Sequence, residues 1–271
     1  MAKVLVVTSG KGGVGKTTST AALGAALAQN GKKVVLIDFD VGLRNLDLVM
    51  GAERRVVYDL INVVQGDAKL AQALIRDKRV PTLSLLPASQ TRDKDALTDE
   101  GVASVIADLR DKFDWIICDS PAGIERGATL AMRHADVAIV VTNPEVSSVR
   151  DSDRIIGLLD SKTELAERGE QLEKHLLLTR YDAGRAERGE MLKVDDVLEI
   201  LSIPLLGIIP ESDEVLRASN VGSPVTLNNA LSAPARAYFD AARRLNGEAL
   251  EMIIPNDRKS LFGKIFGRRA A

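Results

Sequence analysis

Residues 9–18 read SGKGGVGKTT, and within them Gly10, Gly15, Lys16 and Thr17 match the phosphate-loop spacing Gly-x-x-x-x-Gly-Lys-Thr. The residue types follow from the chemistry. Gly10, Gly12, Gly13 and Gly15 let the backbone curl so that successive N–H groups, from Val14 to Thr18, face phosphate oxygens. A helix beginning near Lys16 adds the positive end of its dipole. Lys16 then neutralises β- and γ-phosphate charge, and the Thr17 hydroxyl serves as a ligand for Mg²⁺. One lysine exceeds this requirement. Lys11 lies five residues earlier, where such a loop ordinarily contributes backbone alone.

Three carboxylates complete the set. DWIICD is an apolar run ending in Asp119, the usual place of a carboxylate that holds Mg²⁺, often through water. VVLIDFD ends in Asp38 and Asp40, at the strand edge where open α/β sheets bind ligands. An aspartate at a strand end serves equally well as a helix cap, so position alone leaves both roles open. Asp40 precedes VGLRNLD, a stretch with the composition of a mobile loop, and there it could orient a water towards the γ-phosphate. A GTPase would carry Asn-Lys-x-Asp after a late strand. This chain reads VVTNPE at that place, which favours ATP.

The elements that must carry these groups are legible as alternation. Short β-branched runs (KVLVVT, KVVLID, LSLLP, DWIICD, DVAIVVT, HLLLTR, IPLLGIIP) alternate with amphipathic segments such as TTSTAALGAALAQN and EGVASVIADLRDKF. That rhythm predicts a doubly wound, mostly parallel sheet with helices on both faces, the P-loop NTPase fold. The strands are apolar on both sides, as covered parallel strands are. No linker or repeat interrupts the pattern, so one ATPase domain is expected over 1–255, followed by a separate tail, 256–271.

Hydrophobic residues make up 45% and charged residues 27% of the 271, an ordinary soluble composition. The formal net charge is -2, and the tail holds +4 of it, from Arg258, Lys259, Lys264, Arg268 and Arg269 against Asp257. An acidic body argues against a general grip on nucleic acid, and a basic tail points to a partner of its own. At helical spacing Leu261, Phe262, Ile265 and Phe266 share one arc, with Lys264 on the other side and bases bracketing the cluster. This is the pattern of an amphipathic helix on an anionic membrane surface. A single cysteine, Cys118, excludes a disulfide framework and cysteine-based clusters. No secretory signal or spanning run is evident, so a cytoplasmic location is expected.

KGGVGKTT, with its extra lysine, resembles the deviant Walker A motif of the ParA/MinD family of dimerising ATPases. LIDFDVGLRNLDLVMG, ERRVVYDLINVVQGD, LPASQTRDKDALT, CDSPAGIE, TNPEVSSVRDSDRI and LLLTRYD with RGEML extend the likeness to the septum-site-determining members, over nearly the whole chain. The resemblance implies a slow, Mg²⁺-dependent ATPase that forms an ATP-sandwiched homodimer. Lys11 would cross to the phosphates of the other subunit, while Lys16 and Thr17 bind within their own. Asp40 would position the attacking water, with Asp38 and Asp119 supporting the metal. Arg180, Pro210 and Glu211 resemble the adenine pocket. Arg150 and Asp151 would lie on a partner surface. The implied partners are the division inhibitor MinC, the topological factor MinE and the cytoplasmic face of the inner membrane. Two rivals share the loop: a DNA-partition or flagellar-placement ATPase, which needs a basic face, and a metabolic ligase, which needs a second substrate pocket.

Overall fold

The computed structural model describes residues 2–90 and 96–254. The tail 256–271, with Leu261, Phe262, Lys264, Ile265 and Phe266, lies outside the described residues, as does the predicted domain boundary at 255.

Eight strands among the described residues form one sheet: β1 Lys3–Thr8, β2 Val34–Asp38, β3 Ile75–Arg76, β4 Leu83–Leu86, β5 Trp115–Asp119, β6 Val137–Thr142, β7 Glu173–Tyr181 and β8 Leu205–Pro210. Their order is β3-β4-β2-β5-β1-β6-β7-β8. Every pairing is parallel except β3 with β4, a two-residue antiparallel edge. The expected doubly wound sheet is therefore present, with an added reversed edge too short to show periodicity.

Alternation along each strand builds two cores. Val4 and Val6 face one side with Val35, Ile37, Ile116 and Cys118. Leu5 and Val7 face the other with Leu36, Ile117, Ile139 and Leu177. Both sides are covered by helices, which is why the strands read as unbroken apolar runs. The helix Lys16–Gln29 lies in the second layer. Its face is Ala21, Ala22, Ala25 and Ala26, small side chains that let it sit close to the sheet and to the helix Ala233–Leu245. Gly24 marks the closest approach, since a Cβ there would come within 2.4 Å of Leu36.

Cys118 is buried and its thiol pKa is pushed up to about 12 by burial, with Asp119 beside it, so it is inert. His134 and His175 engage Glu164 and Glu173 at 2.9 and 2.8 Å. Trp115 is buried, with the Lys3 ammonium 5.7 Å from its ring centroid. Among the described residues no helix is long and apolar enough to cross a membrane.

A phosphate-binding loop between β1 and its helix

β1 is flanked by β5 on one side and β6 on the other, so the chain turns into the helix Lys16–Gln29 at the point where strand order reverses. Ligands of open α/β sheets sit at such a point, beyond the carboxyl ends of the strands. Residues 9–15 make the turn. Gly15 takes φ 95°, a left-handed conformation that glycine adopts without strain, and serves as the helix N-cap. No side chain caps this helix start, so its first N–H groups are open to an anion. A Cβ built on Gly13 or Gly15 would meet nothing within 4 Å. That open space, bounded by the helix start and Lys16, fits a phosphate chain.

Two contacts hold the loop in place that its own sequence does not announce. Ser9 Oγ donates to the Lys11 carbonyl at 2.7 Å. Thr179 Oγ1, near the end of β7, donates to Val14 O at 2.7 Å, with Thr142 O at 3.2 Å. A hydroxyl inside the apolar run LLLTRY was the available signal, because a buried polar side chain needs a partner. Thr179→Val keeps the shape and removes that donor, at a cost of about 1–3 kcal/mol. A thermal scan is expected to show the midpoint falling by about 3–10 °C.

The acids converge as expected. Asp38 and Asp119 are direct neighbours in register at the ends of β2 and β5, and both are buried. Asp119 accepts from the Thr20 hydroxyl at 2.9 Å and from Thr17. Its pKa rises to about 6 because burial outweighs those hydrogen bonds and the attraction of Lys16. The Asp38 pKa is also raised well above its ordinary value, by burial and then by Asp119. Lys16 is shifted down by burial, against the pull of Asp119 and Asp40. Such a cluster is short of positive charge, and a cation beside it would restore the ionised carboxylates. Among the described residues no three His, Cys, Asp or Glu side chains form a metal cage. Mg²⁺ held partly by phosphate and water needs none. Thr17, Asp38 and Asp119 therefore fit the ion.

Asp38 has a second use that sequence reasoning missed. Its Oδ1 accepts from Asp40 N at 2.9 Å and its Oδ2 from Leu46 N at 3.2 Å. One carboxylate thus ties both ends of the loop 40–46, and the backbone of Asp40 is fixed from beneath.

Lys11 is placed differently from Lys16. Its Nζ donates to Glu145 Oε2 and to Ser147 Oγ, each at 3.2 Å, and its side chain is 43% exposed. Glu145 and Ser147 stand where the helix Val146–Lys162 begins. The same helix abuts the loop at Gly10, where a Cβ would lie 2.3 Å from the Asp151 carbonyl. Arg150 is exposed one residue away. The predicted partner residues thus border the phosphate loop through the backbone of Asp151.

Pro210 and Glu211 come together beside Tyr181, the residue after Arg180. Tyr181 pairs with Pro210, and Glu211 N donates to Tyr181 O at 3.0 Å. Arg180 is exposed with φ 53°, in the left-handed region. Thr179, the residue before Arg180, reaches Val14 of the loop.

Comparison with known proteins agrees with this geometry. Residues 5–225 match the CobQ/CobB/MinD/ParA nucleotide binding domain. The chain is 62% identical over 271 residues to the septum site-determining protein MinD of Escherichia coli (strain K12), covering 98% of this chain and 100% of that one. The MinD of the Aquifex aeolicus MinC:MinD cell division protein complex superposes with a TM-score of 0.84 at 42% identity, over 93% of this chain and 99% of that one. The Pyrococcus horikoshii MinD complexed with Mg-ADP gives 0.80 at 32%, over 91% and 96%. The chain belongs to the MinD septum site-determining branch of the CobQ/CobB/MinD/ParA nucleotide-binding family.

Proposed function

We propose that this chain is a switch ATPase whose output is position: with ATP it pairs with a second copy, attaches to the cytoplasmic face of the inner membrane and recruits MinC. A MinE-like protein then stimulates hydrolysis and releases it. The observation that carries the reading is the placement of Lys11, whose ammonium lies outside its own phosphate cradle on an exposed edge. The loops after β2 and β5 expose Leu43 and Ile124, and the helix after β6 exposes Val146 at its start, apolar residues that a second copy would cover.

Within one subunit, Lys16 and the loop amides hold the phosphates, and Arg180, Pro210 and Glu211 form the wall for the base. Asp38 fixes the Asp40 backbone so that the Asp40 carboxylate orients a water in line with the γ-phosphorus. The water oxygen bonds to that phosphorus as the bond to the bridging oxygen breaks, giving ADP and hydrogen phosphate, with one water proton kept on the phosphate and the other released to solvent. Thr17, with Asp38 and Asp119, would hold Mg²⁺, which would supply positive charge against the phosphate oxygens. Lys11 of the opposite subunit would stabilise the charge that grows during transfer, as arginine fingers do.

Attachment follows from pairing. Each basic residue near an anionic surface contributes about 1 kcal/mol, and one apolar cluster of four residues anchors only marginally once its ordering is counted. Two tails on one dimer bind at high effective concentration, so ATP controls attachment by controlling pairing. Removing residues 256–271 is expected to abolish ATP-dependent co-sedimentation with anionic vesicles while leaving unstimulated hydrolysis intact. Undiminished sedimentation of the shortened chain would refute the anchor. Stimulation by DNA or by a metabolite, rather than by membrane and partner, would favour the partition or ligase rivals.

A further inference from the structure

At the end of the sheet opposite β3, a groove of about 560 Å³ opens between edge strand β8, the helix Ala233–Leu245 and the last described residues. Ala183, Pro210, Ala233 and Ala237 give it a small-residue apolar lining. Three acids, Asp182, Glu211 and Asp240, also line it with two arginines, and Glu211 and Asp240 have Arg185 and Arg243 at 3.5 and 3.8 Å. The two lining arginines are committed to main-chain carbonyls. Arg236 donates to Leu231 O at 2.8 Å. Arg244 donates to Leu206 O at 3.0 Å, Leu250 O at 3.2 Å and Glu251 O at 2.7 Å.

The described chain ends on this groove. Met252 and Ile253 form its lip, and Ile253 is 71% exposed, a large apolar side chain facing water at the point where the chain continues. Residues 254–260 separate that lip from Leu261, and at full extension they reach about 25 Å, ample to turn back. Next in the sequence is the apolar cluster Leu261, Phe262, Ile265 and Phe266, in a segment tethered beside the groove.

We infer that the groove is the docking site of this chain's own residues 261–266 when the protein is off the membrane. The inference rests on the reading of the tail as the membrane anchor. The same apolar side chains cannot occupy the groove and the lipid together, so docking competes with attachment and lowers the apparent membrane affinity by the docked fraction. Tyr181, Pro210 and Glu211 wall the groove, and Pro210 and Glu211 are also base-pocket candidates, so nucleotide and tail meet at the same strand ends.

The test uses the full chain without lipid, in ADP. Ala237→Cys with Phe262→Cys is expected to form an intrachain disulfide under mild oxidation about tenfold faster than the pair Ser161→Cys with Phe262→Cys, as a docked tail raises local concentration. Cys118, buried, stays out of the reaction. Equal rates for the two pairs, or links between chains, would overturn the docking. In a second arm, Ala237→Trp and Asp240→Lys are expected to raise co-sedimentation in ADP with phosphatidylglycerol–phosphatidylcholine vesicles about three- to tenfold. No increase in either variant would count against it equally. If the unmodified chain with ATP ignores the vesicles, the anchor reading fails, while the cross-linking rates still decide the docking.

Discussion

Lys11→Ala is expected to bind nucleotide yet lose ATP-dependent dimerisation and about 10³- to 10⁵-fold of its stimulated hydrolysis. The separation of these effects follows from geometry. The phosphate cradle within one subunit is made by the loop backbone, the helix start and buried Lys16, none of which needs the Lys11 side chain. What the substitution removes locally is an exposed pair with Glu145 and a hydrogen bond to Ser147, both at 3.2 Å. Exposed ion pairs contribute at most about 1 kcal/mol, so the fold survives. Dimerisation is expected to differ, because in the proposed pairing a cation delivered to a neighbour's phosphates has no substitute. Light scattering with Mg-ATP and a phosphate-release assay measure the two losses, and nucleotide titration measures what remains. Dimers of normal size and stability in the variant would remove Lys11 from the interface.

Gly10→Ala should be damaging for a purely steric reason. The added Cβ would stand 2.3 Å from the carbonyl carbon and oxygen of Asp151, which are backbone atoms of a 17-residue helix. Neither side can yield by rotating a side chain. Either the loop shifts out of the shape that aims its amides at phosphate, or the helix Val146–Lys162 moves off the sheet. Overpacking of this kind costs about 1–3 kcal/mol. If the loop yields, that cost appears as a loss of about 5- to 150-fold in nucleotide affinity. If the helix yields, it appears as a lower melting temperature. Calorimetry and nucleotide titration together register the cost. A variant with unchanged affinity and unchanged melting would show that the contact is not rigid.

The sequence by itself determined the class of fold and the chemistry of the loop. Strand runs such as WIICD and VAIVVT are apolar on both faces only because helices cover both, so their composition carries the sheet's architecture. The phosphate loop is legible for a similar reason. Its chemistry is done by consecutive residues whose φ values and N–H directions are local properties, so Gly15, Lys16 and Thr17 reveal it without the rest of the chain. Asp38 and Asp119 could be marked as strand ends, and the fold set them side by side in register, 81 positions apart in sequence.

Only the tertiary structure decided what holds these pieces in place. Thr179 supports the loop from 165 residues away, and Glu145 receives Lys11 from 134. No spacing rule connects such pairs, because their separation is set by which strands lie next to β1 rather than by a helical or strand period. The same holds for Asp38, whose carboxylate is turned back onto Asp40 N and Leu46 N by the path of the loop beyond β2. Strand order also decided where the last described residues lie: Met252 and Ile253 line a groove with edge strand β8 and the helix Ala233–Leu245 that no local pattern announces. Local chemistry is written in consecutive residues, whereas support and coupling depend on neighbours that only the folded sheet brings together.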